Sequence, residues 1–216
     1  MKLRGFTLAE VLIVIAILGV IAALTLPAIN SNIQKQQMGP ALMRAISTLD
    51  TANALVAQEH DFYNFAESCQ NYLNDCFEPF VKEKLGAAKF DEDIVYGEFH
   101  NYNAEHRYPN GYTTQNGFIY YIPNENFYDP VRIDVLVDVN GNKRPNAIGK
   151  DLFILNLVPE DEGSRLYAVG SNAWSEKFEP DATWKNGGCD KTSVHDEKTC
   201  GGSIVDNGGR IIYPWN

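Results

Sequence analysis

An apolar run near the start of the chain limits its folds more than any other feature. From Val11 to Leu26 the sequence reads Val-Leu-Ile-Val-Ile-Ala-Ile-Leu-Gly-Val-Ile-Ala-Ala-Leu-Thr-Leu, with no charged residue. Phe6 to Leu26 is 21 residues, which as a helix spans about 31 Å, against about 30 Å for a bilayer core. The segment is long enough to cross a membrane. Lys2 and Arg4 precede it, so that end is expected to stay cytoplasmic and the rest to be exported. A secretory signal peptide would need a small-residue cleavage site after the run, and Leu26-Pro27-Ala28-Ile29 puts Leu at the wrong place for one. A plain signal anchor accounts for length and charge but leaves Glu10 unexplained, because an acid at the head of a membrane helix is costly without a partner.

The string Gly5-Phe6-Thr7-Leu8-Ala9-Glu10 ahead of the apolar helix supplies the explanation. It closely resembles the processing site of the type IV pilin-like family. The resemblance implies that prepilin peptidase, a membrane enzyme, cuts after Gly5 and methylates the new N-terminal residue, Phe6. It also implies that Glu10 neutralises the N-terminal amine of a neighbouring subunit during assembly. Gly19 and Pro27 fall where many pilins carry helix-weakening residues. The likeness is strong over residues 5–30, about an eighth of the chain, and looser beyond.

After Pro27 the chain turns polar, and Gly39-Pro40 can kink or restart a helix. Leu42, Ile46, Leu49, Ala52 and Val56 then recur as a helical stripe. We therefore expect one long, bent helix over about residues 6–60, its first half in lipid and its second half laid on a sheet. Residues 61–90 read as partly helical, with Phe62, Phe65, Tyr72, Phe77 and Phe80 as packing candidates. Strands are expected over Gly117–Ile122, Ile133–Val139, Leu152–Leu157 and Leu166–Val169. The second of these alternates as a half-buried strand would, apart from Leu136. Ser203-Ile204-Val205 and Arg210–Tyr213 flank Asp206-Asn207-Gly208-Gly209, a hairpin signal. A helix followed by strands joined by turns implies an α+β domain with an antiparallel sheet, as the pilin resemblance also does.

Four cysteines form two local pairs, Cys69 with Cys76 and Cys189 with Cys200. An even count after a membrane segment points to disulfides in an oxidising compartment. Zinc is disfavoured, since neither pair has the short zinc-knuckle spacing and no histidine sits at a matching offset. Cys69 and Cys76 would lie about 10.5 Å apart along a straight helix, and a disulfide needs Cα atoms within about 7 Å. That bond therefore requires a break, most naturally near Asn74-Asp75.

Asp138, Asn140 and Asn142 alternate as the first oxygen ligands of an EF-hand do, and Asp151 closes the same stretch. Gly141 comes two positions early for that motif and the twelfth position has no Glu, so this is not an EF-hand. The stretch resembles a loop found in many secretion-associated pilin-like proteins. Two readings stay open: a β-turn whose Asx side chains bond the backbone, which is the simpler, and a calcium site using Asp138, Asn140, Asn142 and Asp151. His60, His100, His106 and His195 read as surface residues. No nucleophile motif stands out, and the Gly-Gly pairs lack phosphate-loop spacing.

The net charge is −10, which disfavours a nucleic-acid partner. The expected organisation is a leader peptide (1–5), a transmembrane helix (6–29), the soluble half of the long helix (30–60) and a globular α+β domain with a C-terminal disulfide loop (61–216). The expected function is structural rather than enzymatic: a subunit of a type IV pilus or type II secretion pseudopilus. Its partners would be other pilin or pseudopilin subunits, prepilin peptidase, an inner-membrane assembly platform and membrane lipid. The alternative is a minor tip subunit, adhesin-like, that captures a substrate or surface. Either would be a single-pass cytoplasmic-membrane protein with its N-terminus inside and its soluble domain periplasmic or extracellular.

Overall fold

The computed structural model describes residues 7–59, 88–90, 110–122, 133–141, 143, 146–160, 163–178, 189 and 199–213. Helix α1, Leu8–Glu59, runs for 52 residues, about 78 Å. It continues through Pro27, Gly39 and Pro40 without interruption. The large apolar side chains of its first half touch little else: Leu8, Leu12, Ile13 and Leu18 are each more than half exposed. The second half is different. Met38, Leu42, Ala45, Leu49 and Ala52 are buried, spaced four, three, four and three apart, so they share one face of the helix. Ile46 packs beside them half-buried. Val56, the last position of the expected stripe, has its side chain outside the described residues.

That face lies on a six-stranded antiparallel sheet whose strands follow sequence order. They are β1 (Ala88–Phe90), β2 (Asn110–Thr113), β3 (Ile119–Ile122), β4 (Ile133–Asp138), β5 (Leu152–Glu160) and β6 (Gly163–Ala168). β4 and β5 pair from Ile133↔Leu157 to Asp138↔Leu152. Tyr112, Tyr120, Val135, Val137, Phe153, Leu155 and Leu157 share a core with Leu42 and Leu49 of α1. Tyr120 reaches into the helix, where its hydroxyl donates to the Ala45 carbonyl at 3.0 Å. Four of the expected strands are present, with β5 three residues longer than expected.

The expectation of a half-buried β4 is corrected. Val135, Leu136 and Val137 are all fully buried, because the second face of the sheet carries its own core. Leu136, paired with Tyr121 and Ile154, clusters there with Ile119, Tyr121, Leu152 and Ile154. Leu136 was therefore the informative residue in the strand rather than the exception.

The hairpin expected at the C-terminus is also corrected. Cys200–Asp206 forms a short helix, and Arg210–Tyr213 forms no strand. A second helix precedes it at Asn172–Phe178. These are α3 and α2 respectively. Asn207-Gly208-Gly209 stops α3 instead of turning a hairpin. The Gly209 N–H donates to the Ile204 carbonyl at 2.8 Å and the Gly208 N–H to Val205 at 3.1 Å, the two bonds of a Schellman motif. Both glycines have positive φ, 62° and 84°. Ile204 is fully buried in the core shared with α1, and Cys200 is bonded to Cys189 with Cα atoms 4.8 Å apart. The expected C-terminal disulfide is therefore present. Cys69 and Cys76 lie outside the described residues.

Tight backbone contacts seat α3. A Cβ on Gly202 would stand 2.0 Å from the Ser171 nitrogen, and one on Gly39 of α1 would stand 2.1 Å from the Gly209 oxygen. Gly39 thus admits the end of α3 against α1 and does not break the helix.

Candidate functional site

Among the described residues, two places collect chemically distinctive groups. The first is the start of α1. Thr7 precedes the helix, and Glu10 lies in its first turn. The Thr7 N–H and the Thr7 hydroxyl both donate to Glu10 Oε2 at 2.8 Å, and the Glu10 N–H donates to the Thr7 hydroxyl at 3.3 Å. This is a capping box, in which each residue satisfies an otherwise orphaned backbone donor of the other. The box holds the carboxylate at the helix tip, four residues after Phe6. Both donated bonds go to Oε2, so Oε1 is left for a further partner.

Behind the box, Leu8–Leu26 is long and apolar enough to cross a membrane, and none of it is covered by the rest of the chain. An uncovered apolar helix with a carboxylate at its head is unstable in water and incomplete in lipid. Residues 1–26 match the prokaryotic N-terminal methylation motif. That motif and the apolar helix behind it support a type IV pilin-like protein. No curated protein and no solved structure matches the chain significantly.

The motif indicates processing by prepilin peptidase and implies a structural subunit that assembles with other pilin subunits, and with the apolar helix it suggests a membrane anchor. Gly5 and Phe6 lie outside the described residues; Glu10 is placed at the helix tip.

The second place is the loop joining β4 to β5. Asp138 ends β4 and Asp151 stands just before β5, and both are fully buried. The Val139 N–H donates to the Asp151 carbonyl at 2.9 Å and closes the loop at its base. Above that bond the side chains form one connected group. The Asn140 N–H donates to Asp138 Oδ1 at 3.0 Å, and the Asn140 amide donates to Asp151 Oδ2 at 3.0 Å. Asp151 also accepts the N–H of Asn146 at 2.8 Å and of Ala147 at 2.7 Å. Asn146 adopts a left-handed conformation, φ 49°, which Asn tolerates better than most residues. Gly141 has φ 68°, and a Cβ there would lie 2.8 Å from the Gly117 oxygen, so the loop rests on the β2–β3 turn.

Burial pushes the Asp138 carboxyl up to about 7, with the nearby Asp151 charge adding to the rise and the N–H groups of Asn140 and Gly141 opposing it. Burial also raises Asp151, against its hydrogen-bond donors Ala147, Asn146 and Asn140. Three buried oxygens of this loop, Asp138 Oδ2, Asn140 Oδ1 and Asn146 Oδ1, have no hydrogen-bond partner. Of the four residues singled out in the sequence, the structure brings Asp138, Asn140 and Asp151 together, and Asn142 lies outside the described residues. Asn146 was missed. Its signal was Pro145-Asn146 ahead of Gly149-Lys150-Asp151, an Asx residue placed to bond the backbone of a turn.

Among the described residues no group of three or more His, Cys, Asp and Glu side chains could hold a metal. His60, His100, His106 and His195 lie outside the described residues.

Proposed function

We propose that the protein is a filament subunit of a type IV pilus or type II secretion pseudopilus, made with leader residues 1–5 and cut between Gly5 and Phe6. Residues 6–29 cross the cytoplasmic membrane with the N-terminus inside. Residues 30–60 carry the helix into the exported domain, and an assembly platform in the membrane lifts the subunit into the filament. One observation carries this reading: a single continuous helix that is bare over Leu8–Leu26 and built into the domain core from Met38 to Ala52. Such a helix transmits the position of its membrane half rigidly to the domain. Apolar helices packed side by side would cover the bare half and leave the domains outside.

Glu10 sets the stagger. An acid at the centre of a membrane helix costs about 2.5–3.5 kcal/mol on insertion scales, and less near the interface. Bringing Glu10 to the amine of a neighbour's Phe6 offsets that cost and the amine's own. Only one axial offset between helices achieves it. Glu10→Gln keeps the shape and removes the charge. The variant is expected to be inserted, cleaved and folded, but to enter filaments poorly. Filament yield, and capture of wild-type subunits by the variant, measure this, with cleavage checked separately. Normal incorporation would show that the carboxylate does not determine assembly.

A further inference from the structure

With the first half of α1 in lipid, the continuous helix sets how close the exported domain stands to that lipid. Lys35 is nine residues beyond Leu26 and Gly39 thirteen, about 13 Å and about 20 Å along the unbroken helix. The headgroup layer adds about 5–7 Å to each side of the hydrocarbon core. The level of Lys35 is therefore about 6–8 Å above the headgroups, within roughly one Debye length at physiological salt. The chain that leaves α3 descends to this level. Gly209 packs against Gly39, and four residues later the Tyr213 carbonyl accepts from Lys35 Nζ at 3.2 Å. The Tyr213 hydroxyl donates to the Gly149 carbonyl at 2.7 Å, so the closing turn of the β4–β5 loop shares this end of the domain.

We propose that this end of the domain rests on the exported face of the membrane and binds anionic lipid headgroups through Lys35, Lys150 and Arg210, with Ile212 at the contact. The inference rests on the reading of Leu8–Leu26 as a membrane span. Two independent observations point to lipid. The first is charge. The chain as a whole is acidic, at −10, yet basic residues gather here: Lys35 on α1, Lys150 directly after Gly149, and Arg210 directly after Gly209. Nearby acids are withdrawn. Asp138 and Asp151 are fully buried, and Asp206 turns a carboxylate oxygen to the Asn172 N–H at 2.9 Å. The second is exposure. Among the described residues beyond α1, Ile212 is the one large apolar side chain left exposed, at 66%. A single exposed apolar residue is ordinary on a soluble surface; this one is distinguished by its place on the segment that descends toward the bilayer. An apolar residue among basic ones suits the boundary of an anionic leaflet. Lipid is also the partner that the span itself delivers to this surface, whether or not a second subunit is present. The contact would hold the domain at a set height and tilt before the subunit leaves the membrane.

The test is hydrogen exchange, read by mass spectrometry, of the full-length protein in lipid nanodiscs at one subunit per disc. Discs of phosphatidylcholine alone are compared with discs that hold about one-third phosphatidylglycerol, at low and at high salt. Each basic residue at an anionic surface is worth about a fivefold change in binding. Three of them, partly screened, should slow exchange over Arg210–Tyr213 and Ala147–Asp151 at least about fivefold in the anionic discs. High salt should remove the difference, and the β5–β6 turn, at the other end of the sheet, should not change. Lys150→Gln combined with Arg210→Gln should abolish most of the slowing. If that variant fails to fold, Ile212→Glu decides: it sets a carboxylate against the headgroups from an exposed position and should remove the slowing. Equal exchange in the two lipids would overturn the proposal, as would slowing that survives high salt or either substitution. Slowing that needs two subunits per disc would also overturn it, and would assign the surface to a second copy. A chain that never enters the discs would refute the membrane span on which this proposal and the filament reading both rest, whereas entry without slowing refutes this proposal alone.

Discussion

Two adjacent glycines in α3 should respond oppositely to the same substitution. A methyl on Gly201 would sit 3.6 Å from Phe153 Cβ and 3.7 Å from its ring, ordinary contact. A methyl on Gly202 would sit 2.0 Å from the Ser171 nitrogen, 2.1 Å from the Gly170 carbonyl carbon and 2.6 Å from the Gly170 oxygen. Those are backbone atoms, so no rotamer change relieves them. To accept Gly202→Ala, α3 must back away from the β6–α2 turn by more than an ångström. The Gly202 N–H bond to the Val169 carbonyl, now 3.0 Å, would then be lost. Overpacking costs about 1–3 kcal/mol and the lost bond about 1 kcal/mol. The helix preference of Ala over Gly returns up to about 1 kcal/mol. The net is a destabilisation of about 1–3 kcal/mol for Gly202→Ala, or roughly 2–12 °C in melting midpoint for a chain of this size. Gly201→Ala keeps the helix gain without the clash and should be neutral or stabilising by up to about 1 kcal/mol. Thermal unfolding of the two full-length variants followed by circular dichroism reads both. Equal losses would refute the close packing of α3 on the Gly170–Ser171 backbone.

Leu49→Ala should cost about 2–5 kcal/mol, because Leu49 is fully buried between α1 and the sheet, whereas Leu18→Ala on the bare half of the same helix should leave the unfolding midpoint unchanged. Replacing Cys189 and Cys200 together by Ser should cost about 3 kcal/mol, since the bond closes an eleven-residue separation and chain-entropy stabilisation for a loop near this size is about that large; chemical denaturation of oxidised wild type and double variant measures it.

How well the sequence showed the fold depended on how many physical causes pointed the same way. α1 was plain because an unbroken apolar run of membrane-crossing length leads into a stripe of helical period, and Pro27 and Gly39 did not interrupt the helix. β3 and β4 showed as runs rich in β-branched and aromatic residues, and β5 and β6 as short apolar runs. The C-terminal error had a specific source. Asn-Gly-Gly supplies left-handed residues equally to a hairpin turn and to a helix stop, and what separates the two is tertiary. Gly201 and Gly202 let a helix lie against other backbone, and Ile204 has a core to enter. α2 was overlooked although Ser171 precedes it and Trp174 and Phe178 stand four apart. Its Ser171 hydroxyl accepts the Trp174 N–H at 3.2 Å, a capping bond that short helices depend on. In the β4–β5 loop the acidic and amide residues were visible as a pattern. The full burial of Asp138 and Asp151 was not, because it follows from a second core on the far side of the sheet. That core had its clue in Leu136.

The account rests above all on the N-terminus being cut and modified. Mass spectrometry of the N-terminal peptide, from protein purified out of cells with an active prepilin peptidase, tests it directly. The predicted species begins at Phe6 and carries one added methyl group on its amine. A chain that still begins at Met1 in those cells would contradict the account, whatever the domain's fold.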